Sequence, residues 1–165
     1  QMATLGRAFG MRVAAWSQNL TAETCAAHDV NYCDSLHGLL AQSDVDSVHL
    51  VLSDRSRGLI DSAALSAMRP TATLINTSRA AIVDTVELLT CLRQGRIAGA
   101  ALDVFEREPV AADDPILDNE LIKSGRLLLT PHLGYASQQT FKMFYAQMAE
   151  AVAAWKARSP IRLLS

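Results

Sequence analysis

The sequence predicts an α/β domain built on a doubly wound parallel sheet, incomplete at its N-terminal end. Two observations carry the class and a third the incompleteness. Short, nearly continuous apolar runs alternate with amphipathic helical stretches along the 165 residues, the rhythm of a parallel sheet covered on both faces. Polar residues gather directly after several of those runs, at Asn76-Thr77-Ser78-Arg79, at Asp103 and at Thr130-Pro131-His132. Parallel strands would collect them on one edge, where ligands bind to open sheets of this kind. Finally, no strand, Gly-rich loop and helix open the chain: Gly6 and Gly10 are spaced wrongly for G-x-G-x-x-G.

Taken in order, Met2, Leu5, Ala8 and Phe9 fall at helical spacing, so the first residues read as the tail of a helix stopped at Gly10. Met11 to Trp16 follows as a buried strand, then a helix from Thr21 to Ala27, a strand from Val30 to Cys33 and a helix from Ser35 to Ala41. Ser47 to Leu52 reads as strand, Ser62 to Met68 as a helix stopped before Pro70, and Ala72 to Asn76 as strand. Asp84 and Glu87, three apart, form a capping-box variant ahead of a helix from Val86 to Arg93, with Gly95 placed for a left-handed terminus. Ile97 to Val104 and Leu127 to Thr130 are further strands. Ser137 to Arg158 is a long helix expected to bury Phe141, Phe144, Met148, Val152 and Trp155.

A formal net charge of -2, with both signs interspersed, gives no basic stripe and argues against nucleic acid as a partner. The three cysteines, Cys25, Cys33 and Cys91, form no C-x-x-C pair and no even disulfide set, which fits a reducing cytoplasm. His37 and His49 lack ligand spacing, so no metal site is expected. No apolar run approaches the roughly 20 residues of a membrane span, and the N-terminus lacks a signal-peptide pattern, so a soluble protein is expected.

The polar edge has the groups needed to interconvert a 2-keto and a 2-hydroxy acid. Arg79 offers a planar fork that grips a carboxylate with two charge-assisted hydrogen bonds and stabilises charge developing on the adjacent oxygen. His132 titrates near working pH and can give or take the proton at that oxygen. Glu108, hydrogen-bonded to the imidazole, would favour its charged form and fix its ring. Each also has a plainer reading: Arg79 as a surface ion pair, His132 as a satisfied histidine in a turn, and Glu108 as a solvated charge before Pro109.

Three segments in order, Asn76-Thr77-Ser78-Arg79-Ala80-Ala81-Ile82-Val83-Asp84, Ala100-Ala101-Leu102-Asp103-Val104-Phe105-Glu106-Arg107-Glu108-Pro109 and Thr130-Pro131-His132-Leu133-Gly134, resemble the motif series of the D-isomer-specific 2-hydroxyacid dehydrogenases. The resemblance spans essentially the whole chain and implies a Rossmann-like fold and a hydride-transfer oxidoreductase acting on a small 2-keto or 2-hydroxy acid. It implies Arg79 as the substrate-binding arginine, Glu108 as partner of the histidine and His132 as acid/base. Asp103 resembles the family aspartate that meets the nicotinamide carboxamide, and Val51, Thr77, Ser78 and Gly134 fall on cofactor-lining positions beside Arg79 and His132. A homodimer is implied as well.

Ala80 stands where most members have glycine, a change the turn tolerates if its backbone angle is negative. Formate dehydrogenases of the same superfamily carry glutamine where Glu108 stands, which favours the hydroxy-acid reading. Met11 to Trp16 resembles the family's second cofactor-domain strand. Residues 1–165 therefore read as a nucleotide-binding domain without its first strand and Gly-rich loop, with the substrate domain outside the chain. After that strand, Ser17, Gln18 and Asn19 replace the acid that would accept from the ribose of NAD and repel a 2'-phosphate. Both cofactors remain open on this reading, with NADP preferred to NAD. The rival reading is a non-catalytic dinucleotide-binding or dimerisation module, either corepressor-like or an inactive fragment.

Overall fold

Short polar caps divide the chain into its helices. In the computed structural model, which describes residues 1–163, Thr21, Ser35, Asp61, Asp84 and Asp118 each accept a backbone N–H from two or three residues ahead. Those bonds satisfy donors that a helix start leaves orphaned. They open α2 (Ala22–Ala27), α3 (Leu36–Gln42), α4 (Ser62–Ala67), α5 (Thr85–Arg93) and α6 (Asn119–Lys123), which follow α1 (Met2–Ala8). Gly95 and Gly125, at φ +70° and +73°, close α5 and α6, and the next residue's N–H returns to the helix in both cases: Arg96 to the Cys91 carbonyl and Arg126 to that of Leu121.

Six short strands lie between the helices: β1 (Ala14–Ala15), β2 (Asn31–Tyr32), β3 (Val45–Val48), β4 (Thr73–Asn76), β5 (Gly99–Leu102) and β6 (Leu127–Leu129). Every pairing is parallel, as the alternation requires. β1 pairs with β2, while the remaining four form a sheet in the order β3-β4-β5-β6. In register, Val48 stands beside Asn76, Asn76 beside Leu102, and Leu102 beside Leu129, so the segments after all four strands leave the sheet at one level. The core beneath holds Leu65, Leu74, Ile82, Leu88, Leu92, Ile97 and Leu127, all but completely buried.

The chain divides into two compact units, the first Gln1–Pro131 and the second beginning at His132. All six strands and α1 to α6 belong to the first. The second is dominated by α7 (Gln138–Lys156), capped by Ser137, whose side chain accepts from the Thr140 N–H.

Several sequence expectations change in detail. Residues 11–16 are not a buried strand: only Ala14 and Ala15 pair, and Met11 is exposed. The third strand starts two residues early and stops at Val48, because pairing with β4 runs through Asp46. The capping box is half formed. Asp84 accepts from Glu87, but the Asp84 N–H goes to the Ile60 carbonyl instead of the Glu87 side chain. α6 went unforeseen, although Asp118 and Gly125 bracket it as cap and stop. The largest correction concerns α7: no residue of it is buried, and Phe141, Phe144, Met148, Val152 and Trp155 are all exposed. Helical periodicity identifies an apolar face without saying what covers it.

Candidate active site

β4 ends on Asn76, which is 1% exposed and organises the turn that follows. Its Nδ2 donates to the Arg79 carbonyl at 3.0 Å, and its Oδ1 accepts from the Ser78 N–H at 3.0 Å. Those two bonds fold residues 76–79 back on the strand end and deliver Arg79 to the surface. The guanidinium is exposed, with Nη1 donating to the Ser78 carbonyl at 2.7 Å. A 3-10 turn, Ala80–Ile82, follows at once. Ala80 thus has the negative φ of such a turn, which removes the need for glycine there.

Asp103 directly follows β5 and is 4% exposed. Its N–H donates to the Asn76 carbonyl at 3.0 Å, tying the two strand ends together. Across the other side, the Thr130 N–H donates to the Leu102 carbonyl at 3.0 Å, and Thr130 Oγ1 donates to Asp103 Oδ1 at 2.5 Å. A buried carboxylate held in this way is fixed in orientation. Glu108, exposed, closes the turn after Asp103 by accepting the Phe105 N–H on Oε1 at 3.0 Å. One continuous row of hydrogen bonds therefore joins the Arg79 turn, Asp103 and Thr130, and Glu108 lies five residues beyond Asp103.

His132 opens the second unit, directly after Pro131 in the chain, and has φ +54°. A histidine in left-handed backbone costs of order 1 kcal/mol, a strain that clusters at functional positions. Its ring meets Tyr135 edge to face at 5.8 Å. Gly134 is exposed two residues on. The second unit also bears an apolar groove lined by Tyr135, Phe141, Phe144, Tyr145 and Met148.

The remaining candidates lie after β1, β3 and β4. Val51 is 86% exposed beyond β3, an apolar side chain open at the edge. Thr77 is exposed and Ser78 half-buried. Ser17 is half-buried and Gln18 exposed after β1, and the Gln18 Nε2 donates to the Arg55 carbonyl at 3.0 Å. Sequence reasoning missed three contributors. Asn76 and Thr130 stand on the polar edge that the sequence defines, but their roles in holding the Arg79 turn and Asp103 were not foreseen. Ser56, buried, accepts the Ser53 N–H and donates to the Val51 carbonyl at 2.7 Å, holding the Val51 loop; the S-x-x-S spacing was the available clue. Among the described residues no group of three or more His, Cys, Asp or Glu is placed to hold a metal.

Residues 1–134 match the family described as D-isomer specific 2-hydroxyacid dehydrogenase, NAD binding domain. The chain is 42% identical to the glyoxylate reductase of Aeropyrum pernix over 149 residues, 90% of this chain and 42% of that protein. It is 35% identical to the D-3-phosphoglycerate dehydrogenase of Bacillus subtilis over 152 residues, 92% of this chain and 28% of that protein. Among solved structures, the D-lactate dehydrogenase of Aquifex aeolicus complexed with NAD and lactic acid superposes with a TM-score of 0.81 at 28% identity, covering 95% of this chain and 50% of that one. A phosphoglycerate oxidoreductase from Vibrio cholerae superposes with a TM-score of 0.85 at 27% identity, covering 95% of this chain and 49% of that one. The chain spans less than half the length of the glyoxylate reductase and the D-3-phosphoglycerate dehydrogenase.

Proposed function

Because the chain belongs to the D-isomer specific 2-hydroxyacid dehydrogenases, within their NAD-binding domain, we propose that the full-length protein interconverts a small 2-keto acid and its 2-hydroxy acid with a nicotinamide dinucleotide. The observation that best supports this is the hydrogen-bonded row joining the Arg79 turn, Asp103 and Thr130 at the carboxyl edge of the sheet. The residues present suit a dinucleotide: an exposed apolar Val51, an exposed Thr77 and a buried, oriented Asp103 share that edge. When bound, the dinucleotide supplies or accepts the hydride.

In this reading Arg79 binds the substrate carboxylate through its fork and lowers the cost of negative charge on the neighbouring oxygen. His132 donates the proton to that oxygen during reduction and recovers it during oxidation. Glu108 pairs with His132 and orients its ring for that transfer. Asp103, oriented by Thr130, accepts from the carboxamide, and Val51, Ser78 and Gly134 line the ring's side of the site. Ser17 and Gln18 face the ribose; neither bears the charge that would exclude a 2'-phosphate, so NADP is preferred.

The domain is completed by an upstream strand. Among the described residues β1 pairs only with β2 and β3 only with β4, while Gln18 and Arg55 join the loops beyond β1 and β3. An upstream parallel strand fits between those edges, bringing the Gly-rich loop, and a substrate domain lies further upstream. The protein acts as a homodimer in the cytoplasm, a compartment that suits its three free, buried cysteines. No helix among the described residues is long and apolar enough to cross a membrane.

The test is turnover by the full-length protein of a panel of small 2-keto acids with NADH and NADPH. Dinucleotide oxidation with at least one of them is expected. Dinucleotide binding without turnover across the panel would favour a non-catalytic, corepressor-like module.

A further inference from the structure

Building on the dinucleotide-binding reading, we propose that Arg55 is the residue that recognises the 2'-phosphate of NADP and so sets the cofactor preference. The sequence places no arginine beside Ser17-Gln18-Asn19, and on that ground the strand end has no cation for a phosphate. Folding supplies one from 36 residues away. Arg55 Nη1 donates to Asn19 Oδ1 at 3.4 Å, and the Gln18 Nε2 donates to the Arg55 carbonyl at 3.0 Å, so both the backbone and the guanidinium of Arg55 meet the turn that follows β1.

The loop that presents Arg55 is tied down on both sides of it. The buried Ser56 hydroxyl donates to the Val51 carbonyl at 2.7 Å and accepts the Ser53 N–H at 2.8 Å, and the Arg57 N–H donates to the Ser53 carbonyl at 2.9 Å. An exposed arginine on such a turn has little backbone freedom left to lose on binding. Between His49 and Ile60 the loop carries Arg55 and Arg57 against the single acid Asp54. A guanidinium has five N–H donors in a fork that matches a phosphate, and the bond to Asn19 uses one. At the end of β1 the hydroxyl of Ser17 and the amides of Gln18 and Asn19 add donors of their own with no carboxylate to oppose a dianion. Cation and neutral donors at the end of the second strand of such a sheet are the arrangement that accepts a 2'-phosphate, just as an acid there selects the bare ribose.

The experiment uses the full-length protein and reads binding rather than turnover. NADPH and NADH are titrated by quenching of protein fluorescence, and adenosine 2',5'-bisphosphate and 5'-AMP by calorimetry, for the wild type, Arg55→Ala and Arg55→Lys. In the wild type each 2'-phosphorylated ligand is expected to bind at least tenfold tighter than its partner. Arg55→Ala should weaken the phosphorylated ligands roughly 10- to 100-fold, as expected for loss of a charge-assisted pair, and change NADH and 5'-AMP less than threefold. Arg55→Lys should recover part of the loss. Arg55 is exposed, so folding of the variants is checked by an unchanged melting temperature. Binding of NADPH and NADH with the same ratio in Arg55→Ala as in the wild type would overturn the assignment of Arg55 alone, and a wild-type preference for NADH would overturn it together with the NADP preference, leaving the dinucleotide reading in place. No binding of any of the four ligands to the wild type would overturn the dinucleotide reading and the Arg55 assignment with it.

Discussion

Asp46 lies in β3 with its side chain on the same face as the buried Val48, and it is only 7% exposed. Its Oδ2 has no hydrogen-bond partner among the described residues. Burial pushes the carboxyl up from 3.8 to about 6, with the Ser43 hydroxyl pulling the other way and the Asp44 charge adding to the rise. The folded state therefore holds this proton more tightly than the unfolded chain does. The resulting stabilisation is complete below pH 3.8 and is lost as pH rises through about 6. Asp46→Asn removes the titration, so the variant should gain about 1–3 kcal/mol on the wild type between pH 4 and pH 7.5, measured as the difference in urea unfolding free energy. A pH-independent difference would show that the carboxylate is solvated in the folded protein. Asp46 also explains a misplaced strand: a charge in Val45-Asp46-Ser47-Val48 reads as an interruption, whereas the parallel register with β4 runs straight through it. By contrast the positions of Arg79 and Asp103 just beyond β4 and β5 were legible, because strand ends are features that sequence can locate. The hydrogen bonds that tie Asp103 to Asn76 and to Thr130 were not, since each joins residues 27 positions apart.

Among the elements, α5 is the one whose limits the sequence defines best, because local chemistry sets both of them. Asp84 accepts the Glu87 N–H at 3.0 Å, and Gly95 takes the left-handed angle that ends the helix. Leu88, Leu89, Cys91 and Leu92 are buried on its inner face. Asp84→Ala should cost about 1 kcal/mol of unfolding free energy and Asp84→Asn much less, since asparagine caps equally well. Equal losses would mean that charge near the helix start, rather than the cap bond, is what matters. α7 presents the opposite case. Its spacing was as helical as that of α5, yet Val152 and Trp155 are 60% and 72% exposed. A core position truncated to alanine loses about 2–5 kcal/mol, whereas an exposed one stays within about 0.5 kcal/mol. In the 165-residue chain Val152→Ala and Trp155→Ala should fall in the second class by urea denaturation, and a loss above 2 kcal/mol would restore the buried reading.

For the molecule as a whole, alternating elements announced a parallel α/β sheet correctly, because the rhythm of strand and helix needs no knowledge of side-chain partners. What the rhythm could not reveal was that the sheet falls into a pair, β1-β2, and a quartet, β3-β4-β5-β6. That division depends on which strands are present to be paired. With the proposed upstream strand in place, the full-length protein should bind NADPH at least tenfold tighter than the 165-residue chain, and equal affinities by fluorescence titration would remove the need for that strand. On the proposed mechanism Arg79, Glu108 and His132 act together on a keto acid, with Glu108 acting through His132. The direct test is a double-mutant cycle on kcat/KM for keto-acid reduction by the full-length protein, its Glu108→Gln and His132→Gln variants and the double variant. Losses well short of additive are expected, because Glu108 acts only through the imidazole; additive losses, or a wild type without turnover, would contradict the pairing of Glu108 with His132.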